Sequence, residues 1–291
     1  MASQREIRRR IRSVRNISQI TRAMEMVAAS RLRRAQQRVT ATRPYTERLN
    51  AVIANLAGVA GQAEDEDISF PLLEQRPIRR VAVILVTPDR GLTGPLNSNI
   101  LRRASRYILN EAGVPVGIIA VGRRGRDFMA RYGREIVAEF TRIGDYPTLA
   151  QVTPITQVAV QDFIAGRVDA VQVIYSRFVS TLSQVPEVQQ VLPVQPPAEA
   201  DARATANVIF EPSPAVVLNQ LLPRYVDQQV YRAILESIAS EHAARMVAMR
   251  NATDNARDLV SELTLSMNKA RQAQITREVS EIAAGANALR G

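Results

Sequence analysis

Residues 231–270, YRAILESIASEHAARMVAMRNATDNARDLVSELTLSMNKA, decide the architecture. Within them Leu235, Ala239, His242, Met246, Met249, Thr253, Ala256, Val260, Leu263, Met267 and Ala270 follow in steps that alternate four and three. Such steps form the heptad repeat that keeps one helical stripe against a second helix. All of these residues except His242 and Thr253 are apolar. His242 on this stripe reads as a packed core residue rather than a proton carrier. Beyond Ala270 the stripe shifts by one position and resumes as Ile275, Val279, Ile282, Ala286 and Leu289. That shift predicts a change of partner near 271–275. Upstream, Ser213 before Pro214 is an N-cap residue followed by a proline suited to the first helical position. Pro223 is expected to kink or break this helix early.

The other end of the chain supplies a helix to pair with. Ile7, Ile11, Val14, Ile17, Ile20, Met24, Ala28, Leu32, Ala35 and Val39 are spaced by threes and fours, the spacing of one helical face. No glycine interrupts residues 1–57, and Gly58 and Gly61 are the expected stops. One helix over 3–57 would be roughly 80 Å long at ~1.5 Å per residue, so much of it must project from a small domain. Two such helices leaving a middle domain from neighbouring points would run antiparallel.

Between them the pattern changes to alternating strands and helices. Residues 81–86 (VAVILV) and 116–121 (VGIIAV) are continuous apolar runs of the kind that form buried parallel strands. Further strands are expected at 135–140 and 170–179, with helices at 97–112, 122–132 and 154–166. Together these predict an open, doubly wound α/β sheet. The fold expected is therefore α/β: an antiparallel coiled coil of long terminal helices plus a central, Rossmann-like domain. Its parts are an N-terminal helix (1–58), a globular domain (59–212) and a C-terminal helix (213–291). Segments 60–77 and 193–206, rich in acidic residues or proline, read as exposed linkers.

Composition narrows the chemistry. The chain has no cysteine and a single histidine, His242. Disulfides and thiolate chemistry are excluded, and a histidine metal site or Ser–His triad has no basis. No apolar core of a secretory signal follows the N-terminus, and no run approaches the ~20 apolar residues of a membrane span. The net charge of +10 is concentrated: residues 1–57 hold 13 Arg and 3 Glu, while the remainder is close to neutral. After the first strand, Asp89-Arg90-Gly91-Leu92-Thr93-Gly94-Pro95 stands where a phosphate loop would. It lacks the Lys-Ser/Thr ending of a P-loop and the third glycine of a dinucleotide fingerprint. A tight structural turn is the better reading, and no cofactor is expected.

Three stretches resemble the gamma-subunit family of F-type ATP synthases: 7–30 (IRRRIRSVRNISQITRAMEMVAAS), 89–99 (DRGLTGPLNSN) and the run from SEHAARM at 240–246 through ATDNA at 252–256 to NKARQAQITREVSEI at 268–282. The resemblance implies a non-catalytic central rotor stalk that couples c-ring rotation to conformational change in catalytic beta subunits. Its implied partners are the alpha and beta subunits, the epsilon subunit and the c-subunit ring. It also implies a peripheral place on the cytoplasmic side of a bacterial inner membrane, held there through the complex. By position, Met24, Arg31, Arg34, Arg245, Arg271, Gln272, Thr276, Glu278 and Glu281 match family positions that face beta-subunit loops or stabilise the coil. Thr93 stands where cysteine is common in the family, and Arg277 where Gln or Lys is usual.

Two readings compete with this one. The basic N-terminal helix could bind nucleic-acid phosphates, although its arginines lack interleaved aromatics. An α/β enzyme with a coiled-coil arm is the other; it requires a site that the loops do not supply.

Overall fold

The computed structural model describes residues 4–60, 69–195, 211 and 213–288. The element order is α1 (Gln4–Ala60), β1 (Val81–Val86), α2 (Leu96–Arg106), β2 (Val116–Val121), α3 (Arg123–Arg131), β3 (Ile136–Phe140), α4 (Leu149–Ile164), β4 (Ala170–Phe178), β5 (Gln184–Leu192) and α5 (Pro214–Ala288). The chain forms two compact units: residues up to Ala28 together with those from Arg245, and Ala29–Ala244. The division cuts both long helices.

In the first unit α1 and α5 pair antiparallel. The Thr21 and Thr253 hydroxyls lie 2.7 Å apart, and Arg250 Nε donates to Glu25 Oε1 at 2.9 Å. Residue numbers rise along one helix as they fall along the other. Carried outward, that register sets Gln4 opposite about residue 270 at equal rise per residue. Burial agrees: Ala270 is still partly covered, and Arg271 through Gly285 are exposed without exception. The seam of α5 lies where its heptads put it, with Met249, Thr253 and Ala256 buried. The seam of α1 does not follow the most hydrophobic residues. It runs Ile7, Ile11, Val14, Ser18, Thr21 and Ala28, leaving Ile17 and Ile20 exposed. The Thr21–Thr253 bond explains this, because two hydroxyls that satisfy each other can be buried with little penalty.

In the second unit five strands form one sheet in the order β3-β2-β1-β4-β5. β1 pairs parallel with β2 and β4, β2 pairs parallel with β3, and β5 is antiparallel to β4. One core packs Val83, Leu85, Ile118, Ala120 and Ile174 of the sheet with Leu96, Ile100 and Ala104 of α2 and Met129 of α3. Right-handed crossovers put α2 and α3 on one face and α4, which returns the chain past β1, on the other. The Pro214–Ala244 part of α5 joins this unit. Ser237 Oγ accepts the Ser176 N–H at 3.2 Å, and the Ser240 hydroxyl donates to the Ser176 carbonyl at 2.9 Å.

Several sequence expectations need correction. Pro223 lies inside α5 without ending it. The proline is exposed, so the carbonyl it deprives of a partner can reach water, while Leu222, Tyr225 and Val226 are buried beside it and hold the helix in place. Residues 107–111 form a π-helical turn closing α2. α4 begins five residues before the expected 154, at Leu149, with Pro154 tolerated inside it. β5 was not expected; its sequence, QVPEVQQVL, is polar and contains Pro186, which an edge strand can accept. The described parts of the two connections are exposed or half-buried, but pinned to each other at one buried point. Leu72 and Val194 are buried, and the Val194 N–H donates to the Leu72 carbonyl at 2.8 Å. Residues 61–68 and 196–206 of those connections lie outside the described residues.

Asp169 anchors the start of this sheet. Its carboxylate accepts the backbone N–H groups of Arg79 at 2.8 Å and Arg80 at 3.1 Å and lies 3.2 Å from Arg76 Nε. The backbone N–H of Arg79, foremost among these, holds its carboxyl below the usual range. A depressed folded pKa gives stability that is complete above the ordinary carboxylate range and lost as pH falls through the folded value. Asp169→Asn should therefore cost about 1 kcal/mol at neutral pH. It should also blunt the acid limb of the stability profile, as read by denaturant melts between pH 7 and 3.

Candidate functional site

The loop after β1 is built for packing. Thr87 Oγ1 accepts the Gly125 N–H at 2.8 Å and donates to the Val121 carbonyl at 3.1 Å, tying the ends of β1, β2 and α3 together. Gly122 has φ 90°, and a Cβ there would lie 1.9 Å from the Thr87 carbonyl oxygen. At the start of α3 the Arg123 N–H donates to Asp89 Oδ1 at 2.9 Å. The same carboxylate accepts the Arg142 N–H at 3.0 Å through Oδ2. A carboxylate thus occupies the helix N-terminus that a phosphate would need. The small cleft beside it is lined by Pro88, Asp89, Arg142, Ile143, Ile238 and Glu241. Among the described residues no group of three His, Cys, Asp or Glu side chains could hold a metal.

The surfaces of the coiled-coil unit are the stronger candidate. Arg271, Gln272, Thr276, Glu278 and Glu281 all lie on the exposed part of α5 beyond the pairing. They share it with Ile275, Val279 and Ile282, which are 49%, 59% and 73% exposed and recur at one helical face. Gln274 Nε2 donates to Glu278 Oε1 at 2.9 Å, an i,i+4 pair that helps an unpartnered helix hold its form. On α1, Ile17, Ile20 and Val27 are exposed and Met24 is half-buried. Their steps of three and four make a second apolar stripe beside the seam. The sequence carries its signal, but the same spacing reads equally as the seam itself. Arg5, Arg8, Arg9, Arg10, Arg12, Arg15 and Arg22 surround it, all exposed, and give this segment a strongly positive field.

The remaining expected residues lie elsewhere. Arg31 and Arg34 belong to the second unit. Arg31 Nη1 donates to Asp145 Oδ2 at 2.6 Å, so its charge is already engaged inside that unit. Arg34 is exposed, with its guanidinium carbon 5.9 Å from the Tyr146 ring centroid, and Arg38 stands over the same ring at 4.9 Å. Asp145 Oδ1 also lies 3.2 Å from Nε2 of His242, which is fully buried. The loop holding Asp145 and Tyr146 therefore straps α1 and α5 in the second unit, with the Tyr231 hydroxyl donating to the Pro147 carbonyl at 3.2 Å. Arg245 is half-buried and interacts within the chain. No helix of the described residues is long and apolar enough to cross a membrane.

Comparison with known proteins adds a family. A family model described as ATP synthase matches residues 3–289. The ATP synthase gamma chain of Roseiflexus castenholzii is 55% identical over 293 residues, covering 99% of each chain. That of Chloroflexus aurantiacus is 54% identical over 295 residues, again covering 99% of each. Among solved structures, a chain of the Tetrahymena thermophila mitochondrial ATP synthase central stalk and c-ring superposes with TM-score 0.61 at 29% identity, covering 80% of this chain and 99% of that one. A chain of the Euglena gracilis mitochondrial ATP synthase in rotational state 3 gives TM-score 0.65 at 19% identity, covering 98% of this chain and 94% of that one, and supports the fold alone.

Proposed function

Because this chain belongs to the ATP synthase gamma-chain family, we propose that its coiled-coil unit is the torque-bearing shaft of the central stalk. In this reading it turns with a c-subunit ring and carries that rotation into a ring of alpha and beta subunits, with an epsilon subunit on the globular domain. The three-part division into N-terminal helix, central domain and C-terminal helix is then a division of labour between shaft and base. The chain itself performs no catalysis, and it is peripheral to a bacterial inner membrane on the cytoplasmic side through the complex. The observation that supports this best is the length of α5 that outruns α1. Fifteen residues, Arg271 through Gly285, are exposed among the described residues, and their apolar stripe calls for a surrounding partner.

The exposed arginines suit such a role. Charges on a solvated surface act over about a Debye length, ~8 Å at physiological salt. They can attract acidic loops at successive angles without the fixed fit that would trap one orientation. Met24, Arg34, Arg245, Thr276, Glu278 and Glu281 are assigned to beta-facing or coil-stabilising roles on the same reading. Arg31 is assigned to holding Asp145.

Arg271→Ala combined with Gln272→Ala tests the tip. Both side chains are exposed, so thermal stability of the chain should change by no more than about 0.5 kcal/mol. ATP synthesis by the assembled complex should fall several-fold, the scale of about 1 kcal/mol of lost contact. Unchanged synthesis would remove these two residues from torque transfer.

A further inference from the structure

On the outer helical layer of the second unit, α2 and α3 leave an apolar groove of about 240 Å³, formed chiefly by Ile108, Leu109, Phe128, Met129 and Tyr132 with Arg134 beside them. The groove exists because α2 ends in the π-turn 107–111, where the Ala112 N–H reaches back five residues to the Tyr107 carbonyl at 2.9 Å. A π-turn is wider than an α-turn and occurs frequently at functional sites. Here it is fixed by a two-pronged pair: Arg103 donates to both oxygens of Glu111, at 2.8 and 2.9 Å. Across the groove the Phe128 and Tyr132 rings stack at 4.7 Å between centroids, tilted by 45°. Leu109 and Tyr132, both large and apolar or aromatic, are 62% and 64% exposed.

The charges around it are one-sided. Arg102 shares a helical face with Ser105 and Leu109, while Arg131 and Arg134 flank Tyr132. These three arginines are exposed, and none is paired with a carboxylate among the described residues. The neighbouring acidic groups are engaged, Glu111 by Arg103, Asp127 by Arg126 and Glu135 by Arg80. The volume falls below the ~300 Å³ at which small-molecule pockets begin. It is a notch for one or two side chains, and its concave form does not suit a flat lipid surface.

We propose that this groove is the docking site for a segment of a neighbouring polypeptide that presents an apolar side chain flanked by carboxylates. The apolar side chain enters between Leu109 and Tyr132, and the carboxylates meet Arg102, Arg131 and Arg134. The proposal rests on the chain working inside an ATP synthase complex, but not on which part of it bears torque.

The absence of native cysteine makes the test direct. Leu109→Cys and Leu182→Cys, the latter 81% exposed in the β4–β5 turn, are each assembled into the complex and reacted with a maleimide. The thiol of the Leu109→Cys variant should react at least tenfold more slowly than that of Leu182→Cys. With p-benzoylphenylalanine in place of Tyr132, photolysis should join this chain to another polypeptide at a segment carrying Asp or Glu beside an apolar residue. Arg131→Glu with Arg134→Glu should reduce that yield several-fold. Equal reactivity of the two thiols, cross-links only to lipid or to a second copy of this chain, or a yield indifferent to the charge reversal would each overturn the proposal. Recovery of the assembled complex with normal ATP synthesis, measured on the same samples, separates failure of the groove from failure of the stalk reading.

Discussion

Gly122→Ala is expected to be among the most destabilising single substitutions in the α/β unit. The glycine sits at φ 90° with a would-be Cβ 1.9 Å from the Thr87 carbonyl oxygen. An L-residue in a left-handed conformation costs roughly 1–2 kcal/mol. Overlap with backbone adds about 1–3 kcal/mol more, because no flexible side chain can move aside. The total, roughly 2–5 kcal/mol, corresponds to a melting-temperature drop on the order of 10 °C for a unit of this size. The displaced atoms also belong to the Thr87 junction of β1, β2 and α3, so the loss should spread to both strands. Gly133→Ala is the control: its φ is 63°, with nothing within 4 Å of the added Cβ. It should lose only the conformational part, about 1–2 kcal/mol. Thermal melts of the two variants, compared with the unsubstituted chain, measure the difference.

The second large effect lies in the coiled coil. Ala256 is 7% exposed on the α5 seam, one turn from the Thr21–Thr253 contact. Ala256→Asp puts a carboxylate into that seam. Among the described residues no cation is buried beside it: Arg257 pairs with Asp254 at 3.1 Å, Arg250 with Glu25 at 2.9 Å, and Arg15 and Arg22 of α1 are exposed. An uncompensated buried charge costs about 3–5 kcal/mol, enough to open a two-helix pairing with no deeper core behind it. Hydrogen exchange should then accelerate in residues 4–28 and 245–270 while the strands β1, β2 and β4 keep their protection. Loss of protection in the strands as well would mean that the two units do not open independently.

What the sequence revealed depended on which physical signal was strongest locally. β1 and β2 were legible because strands buried on both faces must be apolar throughout. The α5 seam was legible because thirty-six residues of alternating steps leave no other register. The change near Ala270 was legible too, and its cause is the end of α1's reach. The seam of α1 was misread by hydrophobicity: Ile17 and Ile20 outrank Ser18 and Thr21, yet the hydroxyl pair with Thr253 takes the inside position. β5 was hidden by Pro186 and its glutamines, which an edge strand tolerates. Among the site residues, the set from Arg271 to Glu281 was read from the family resemblance, and the end of the seam beside it accounts for its exposure. Arg31 does not, because its partner Asp145 is 114 residues away in a loop that no periodicity predicts. The apolar groove at Leu109 was equally hidden, since a π-turn leaves no distinct sequence pattern.

If this chain is a shaft that turns inside a complex, rotation itself can be watched. A probe attached through Leu182→Cys, in a complex held to a surface by its other subunits, would be followed while ATP is supplied. Sustained rotation in one direction, stopping when ATP is removed, is the expected result. A probe that only diffuses back and forth while the complex hydrolyses ATP at its normal rate would contradict the rotor role.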